Sequence, residues 1–87
     1  MLCQQHFSLH GWRLFFSMNE RNEPPHIHAR KGDIDCKFWL KVDEYDVEEA
    51  YGYNLSPRHR RQIRKIIFEN FDYLVEAYLR FHGGEDE

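Results

Sequence analysis

The sequence predicts an α+β fold, a small antiparallel sheet of three or four strands covered on one face by a long C-terminal helix. Two patterns predict this fold. Between Gly11 and Val42, apolar and polar residues alternate with the period of two that is typical of half-buried strands. After Ser56, apolar residues recur at three- and four-residue spacing, as in an amphipathic helix. The 87 residues provide for one domain with one modest core, in which the N-terminal residues and residues 83–87 are expected to fray.

The strand signals are separated by recognisable turns. Three strands are predicted, at residues 11–18, 26–30 and 34–42. A polar loop that ends in Pro24-Pro25 joins the first two, because proline cannot donate to a sheet ladder, and a tight turn at residues 31–33 joins the second and third. The segment 43–55 is compatible with an edge strand or a helical turn, and we expect a short irregular strand.

The helix has a clear start and a clear stop. Ser56 is a favoured N-cap and Pro57 is favoured at the first helical position, while glycine at 83 and 84 can end the helix. The residues expected to pack on the sheet are Ile63, Ile67, Phe71, Leu74 and Tyr78. On the sheet they would cover Ile27, Ala29, Ile34, Cys36, Phe38 and Leu40. Phe68, Val75 and Leu79 exceed what one small core needs, which predicts a possible two-fold homodimer.

Composition excludes some classes of protein. The formal net charge of −3 argues against a general nucleic-acid binder, and the 16% aromatic content argues for a folded chain with a partner-facing surface. No signal-peptide pattern and no membrane-spanning apolar run are present, so a cytoplasmic protein without membrane attachment is expected. Cys36 is then a small core residue in a reducing compartment.

The segment from Asn22 to Arg30 is the most specific part of the chain. Because successive side chains of a strand point to opposite faces, His26, His28 and Arg30 should share one face. By the same alternation, the sheet face away from the helix becomes the predicted partner-binding surface. It would carry Arg13, Phe15, His26, His28, Arg30, Lys37 and Trp39.

Three interpretations of the histidine pair remain open. His26, His28 and Arg30 are candidates for acid–base catalysis, as in a metal-independent ribonuclease. Metal binding is disfavoured, because Arg30 would repel a cation and a third ligand would have to come from Asp33, Asp35 or His10. In the structural interpretation the imidazoles donate to loop carbonyls near residues 19–25, and Arg30 pairs with Asp35. We expect no metal and no other cofactor.

A basic cluster at the helix start is a second candidate site. Positive charge there opposes the helix macrodipole and so does not stabilise the helix. We therefore expect these residues to have another role or to contact the acidic segment 43–49. The candidates for nucleic-acid contact are Arg58, Arg60, Arg61, Arg64 and Lys65.

The Pro-Pro-His-Ile-His-Ala run at residues 24–29 resembles the signature of the domain of unknown function 4160 family of small bacterial proteins. The resemblance extends to the Leu-Ser-Pro-Arg entry into the final helix, at residues 55–58. It implies a compact cytoplasmic protein, often encoded beside a second small protein in a toxin–antitoxin-like arrangement. Relatives tend to carry a Trp and a His in the helix where this chain has Ile66 and Asn70, which favours binding over catalysis. The function expected is therefore a non-enzymatic interaction module, with a ribonuclease-like toxin and a nucleic-acid-binding regulator as alternatives.

Overall fold

A computed structural model describes residues 4–17 and 23–83, with the side chains of residues 7–16 and 23–81. Five strands form one antiparallel sheet in the order of the chain. They are β1 (Gln4–Leu9), β2 (Trp12–Ser17), β3 (His26–Lys31), β4 (Ile34–Lys41) and β5 (Asp46–Tyr53). A short 3₁₀ helix (Val42–Glu44) links β4 to β5, and two helices follow, α1 (Pro57–Glu69) and α2 (Phe71–Gly83). The α+β class is confirmed.

The number of strands was predicted wrongly. Strand β1 is absent from the prediction because Gln4, Gln5 and His6 give it a polar beginning, whereas in the structure it forms an edge strand paired along its length with β2. The segment predicted as a short irregular strand contains β5, an eight-residue edge strand. Its pairing with β4 shifts register between Lys37 and Phe38, so part of the expected irregularity is present.

The single long helix was also predicted wrongly, since Asn70 divides it. Its backbone angles (φ −120°, ψ 21°) leave the helical region, and its side-chain Nδ2 donates to the Ile66 carbonyl at 2.8 Å. Asparagine competes for backbone groups in this way, which disfavours it inside helices. The predicted start is confirmed, because Ser56 is the N-cap and its side chain accepts from the His59 backbone N–H.

The core lies between the sheet and the two helices. Every residue predicted to pack in it from either side is buried, with Tyr78 the highest of the five helix residues at 6% exposed. Two hydrogen bonds between residues distant in sequence connect the helices to the rest of the chain. Trp12 Nε1 on β2 donates to Gln62 Oε1 on α1 at 3.1 Å, and Tyr78 Oη on α2 donates to the Glu23 carbonyl at 3.3 Å. Cys36 is a buried free thiol, and burial raises its pKa to about 12.

Candidate functional site

The sheet face opposite the helices, hereafter the outer face, holds all seven residues predicted for it. Strand pairing sets Phe15 beside His28, and His28 in turn beside Lys37. Residues paired across strands share a face. The same pairing aligns Arg13 with Arg30 and His26 with Trp39.

Two tyrosines of β5 that the sequence pattern did not predict extend this face. Tyr51 pairs with Lys37 and Tyr53 pairs with Asp35. The two rings lie 5.2 Å apart between centroids, and Tyr53 is 62% exposed. Their spacing of two residues indicates a shared face only if the segment is a strand, and this segment was not predicted as a full strand.

The centre of the outer face is a stack of side chains around His28. The Phe15 ring lies parallel to the imidazole, with centroids 5.1 Å apart and planes inclined by 13°. The hydroxyl of Tyr51, on β5, lies 3.5 Å from Nδ1 of His28, on β3. The guanidinium of Arg30 sits over the Phe15 ring at 5.3 Å and contacts Asp35 at 3.5 Å. The predicted Arg30–Asp35 pair is thus present, and it fixes a cation over an aromatic ring.

His26 has the geometry expected of a structural residue. Its side chain is fully buried, and Nδ1–H donates to the Pro24 carbonyl at 2.8 Å. Its ring also contacts those of His28, Trp39 and Tyr78 at centroid distances of 5.3 to 6.0 Å. The proline-rich approach places a carbonyl where the imidazole N–H can reach it.

Lys37 is buried beside two partners. Its Nζ lies 2.5 Å from Glu23 Oε1 and 4.6 Å from the centroid of the Trp39 ring. The middle of the outer face is packed and not open to solvent, because Phe15, His26, His28 and Lys37 are each at most 8% exposed. The face is a packed floor with an exposed rim. The rim consists of the exposed Arg13, Arg30 and Tyr53 and the half-buried Trp39 and Tyr51.

The described residues bring together no metal site. No group of three or more His, Cys, Asp or Glu side chains in this part of the chain could hold an ion. His26 and His28 are neighbours, but Asp33, Asp35 and His10 do not complete a ligand set with them.

The five basic residues at the start of α1 form two groups in the structure, two that contact β5 and three that are exposed. Arg60 donates through Nε and Nη2 to both carboxylate oxygens of Glu49, at 2.6 and 3.2 Å, and these bonds raise the pKa of Arg60. Arg64 donates to the Val47 carbonyl at 3.4 Å. The expected contact with the acidic segment thus exists, and it joins α1 to β5. The other three predicted cations, Arg58, Arg61 and Lys65, are exposed.

Comparison with known proteins identifies one family. The family model described as Domain of unknown function (DUF4160) matches residues 11–78, a span that includes the outer-face residues and most of both helices. Neither the curated proteins nor the solved structures contain a match. Within the described residues, neither helix has the length and apolar character needed to cross a membrane.

Proposed function

The chain belongs to the DUF4160 family, and from the geometry of the outer face we propose that it is a small non-enzymatic interaction module that binds a protein partner. In this proposal the partner is the second product of a two-gene, toxin–antitoxin-like operon, and both proteins act in the cytoplasm. The proposed contact surface is the rim of the outer face together with its packed floor.

One observation carries the proposal: exposed arginine and aromatic side chains of the outer face pack against a layer of buried side chains. The Arg30 side chain is 56% exposed, yet the Phe15 ring and Asp35 hold its guanidinium. Tyr53 is largely exposed beside Tyr51. Arg, Tyr and Trp dominate the energetic centres of protein interfaces, and side chains already held in place lose less entropy on binding.

The charges of the outer face favour a protein partner over a nucleic acid. Two of its cations are already neutralised, Arg30 by Asp35 and Lys37 by Glu23. A phosphate backbone would have to compete with those carboxylates, whereas a protein surface can match a mixture of both signs. The net charge of −3 adds to this preference.

The position of His26 favours binding over acid–base catalysis. A catalytic imidazole must reach the proton that it transfers. The fully buried His26 is engaged with the Pro24 carbonyl, so it is shielded from a phosphate group at the surface. His28 alone would leave a ribonuclease mechanism without its second imidazole.

The test is co-expression of the tagged full chain with the product of each adjacent gene, followed by titration of any purified pair. Arg30→Ala and Tyr53→Ala should each weaken the complex by about tenfold or more, since truncation of an interface anchor costs about 2 kcal/mol. Tyr45→Ala is the matched control, because Tyr45 is similarly exposed (55%) but contacts Phe71 on the helix side.

Equal affinities for the Tyr53→Ala variant, the Tyr45→Ala control and the wild type would place the contact elsewhere and refute the use of the outer face. Cleavage of single-stranded RNA by the wild-type protein, lost in His28→Ala at unchanged melting temperature, would refute the non-enzymatic assignment.

A further inference from the structure

The charges of the two helices are segregated along the chain. Residues 57–65 contain five basic residues and no acidic one, and residues 66–76 contain three acidic residues and no basic one. In α1 this order opposes the macrodipole, which favours acids at the N-terminus. Helix stability therefore does not explain the arrangement.

Six exposed charges from both helices lie on one side. At 3.6 residues per turn their positions fall within an arc of about 80°. We call them the charged stripe: Arg58, Arg61, Lys65, Glu69, Asp72 and Glu76. Although Asn70 separates the two helices, i→i−4 backbone hydrogen bonds continue across it: its N–H donates to the Ile66 carbonyl, and its own carbonyl accepts from the Leu74 N–H.

The charged stripe is little used within the chain. Among the described side chains, its first five residues make no ion pair, and Glu76 contacts only Arg80, at 3.7 Å with both side chains more than 60% exposed. Lys65 and Glu69 do not pair, although they are four residues apart. The basic residues that hold α1 to β5 are different ones, Arg60 and Arg64.

We propose that the charged stripe binds a second copy of this chain, with the helices of the two copies antiparallel about a two-fold axis near residue 67. In that arrangement each basic residue meets an acidic residue of the other copy, because the paired residue numbers add up to 133 or 134. The pairs are Arg58 with Glu76, Arg61 with Asp72, and Lys65 with Glu69. The symmetry repeats each pair, giving six ion pairs.

An apolar border adds contact area to this interface. Phe68, Val75 and Leu79 lie along one side of the charged stripe at spacings of seven and four residues. Phe68 and Val75 are half-buried against the core, while Leu79 is 57% exposed. The charged stripe then sets the direction and register of the pair, and the apolar border is removed from water. The outer face stays free in both copies, so the dimer does not depend on the proposed function.

The decisive experiment uses two full-length triple variants. The acidic variant carries Arg58→Glu, Arg61→Glu and Lys65→Glu, and the basic variant carries Glu69→Lys, Asp72→Lys and Glu76→Lys. Each has a stripe of one sign and should repel its own copy. Mixed in equal amounts, the two variants have opposite charges at all six contacts and should associate.

The readout is mass by light scattering at about 100 μM protein, a concentration suited to micromolar affinity, and at about 20 mM salt, where screening is weak. The wild type and the mixture should have twice the monomer mass of 10.7 kDa, and each triple variant alone should have the monomer mass. The matched control for the basic variant, Asp33→Lys with Asp43→Lys and Glu44→Lys, makes the same charge change at exposed positions outside α1 and α2 and should remain dimeric.

A monomeric wild type, or a mixture that stays monomeric, would overturn the proposal. The proposal would also be overturned if each triple variant alone had the dimer mass, as the wild type does. If circular dichroism shows that a triple variant is unfolded, the pair Lys65→Glu and Glu69→Lys replaces it, with a weakened dimer expected for each and recovery in their mixture.

Discussion

Removing the His26 side chain should destabilise the fold severely, although histidine is a polar residue. His26→Ala deletes a fully buried ring that contacts His28, Trp39 and Tyr78. It also leaves the Pro24 carbonyl without the N–H that now lies 2.8 Å away. Loss of a large core side chain costs about 2–5 kcal/mol, and loss of a hydrogen bond costs about 0.5–1.5 kcal/mol.

We therefore expect His26→Ala to lower the free energy of unfolding by about 3–5 kcal/mol. In a domain of this size each 1 kcal/mol lowers the melting temperature by about 4–8 °C, so the expected decrease is at least 12 °C. The total stability of a chain of this length is only about 4–13 kcal/mol, and the variant will be close to unfolding. Thermal and urea unfolding followed by circular dichroism measure both quantities.

Two further variants separate the two contributions. His26→Phe keeps a ring but has no donor, so it should show mainly the hydrogen-bond loss of about 0.5–1.5 kcal/mol. Arg13→Ala, an exposed neighbour on the outer face, should change stability by less than about 0.5 kcal/mol. A melting temperature for His26→Ala within 2 °C of the wild type would refute the structural role assigned to this residue.

Three other predictions concern the core and its thiol. Leu74→Ala should cost about 2–5 kcal/mol in chemical unfolding because Leu74 is fully buried, whereas Val42→Ala, at an exposed position outside the proposed dimer contact, should cost less than about 1 kcal/mol; equal losses would contradict the packing. Gly52→Ala should cost about 1–3 kcal/mol, since the added methyl carbon would lie 2.7 Å from Leu55 Cδ2, and an unchanged urea midpoint would show that Leu55 can move away. For Cys36, the unfolded thiol ionises near its ordinary pKa of 9.0 but the native thiol only near 12, so stability should fall as pH rises between those values. The fall should be shallower in Cys36→Ala, and identical pH profiles would contradict it.

The core was predictable from the sequence because periodicity specifies which residues face each other. All five helix residues predicted to pack on the sheet, between Ile63 and Tyr78, are buried, and the buried Ile66 and Ala77 lie beside them. The division at Asn70 was missed because the apolar spacing continues through it, and the interruption appears only in the backbone angles of Asn70 and in its side-chain bond to Ile66. Strand β1 was missed because an edge strand can be held by backbone pairing with little apolar pattern of its own.

The candidate site was predictable in membership but not in exposure. Alternation indicates which side chains share a face, so His28 and Lys37 were placed correctly. It does not indicate what packs beside them. Their burial depends on partners distant in sequence, such as Tyr51 beside His28 and Glu23 beside Lys37. Predicting Tyr51 as a partner requires the assignment of β5, and predicting Glu23 requires the conformation of the loop before β3. No local sequence pattern gives either.

The sequential order of the strands has a consequence for how the chain folds during synthesis. Each strand pairs with its neighbour in the sequence, so the sheet needs no long loop closure and can form as the chain leaves the ribosome. Its apolar face, however, is covered by helices that are synthesised after the strands, and the bond from Tyr78 to the Glu23 carbonyl spans 55 residues. Until α2 emerges, the nascent sheet exposes its apolar face to other chains. Truncation within α2 should therefore produce aggregation rather than a smaller folded domain.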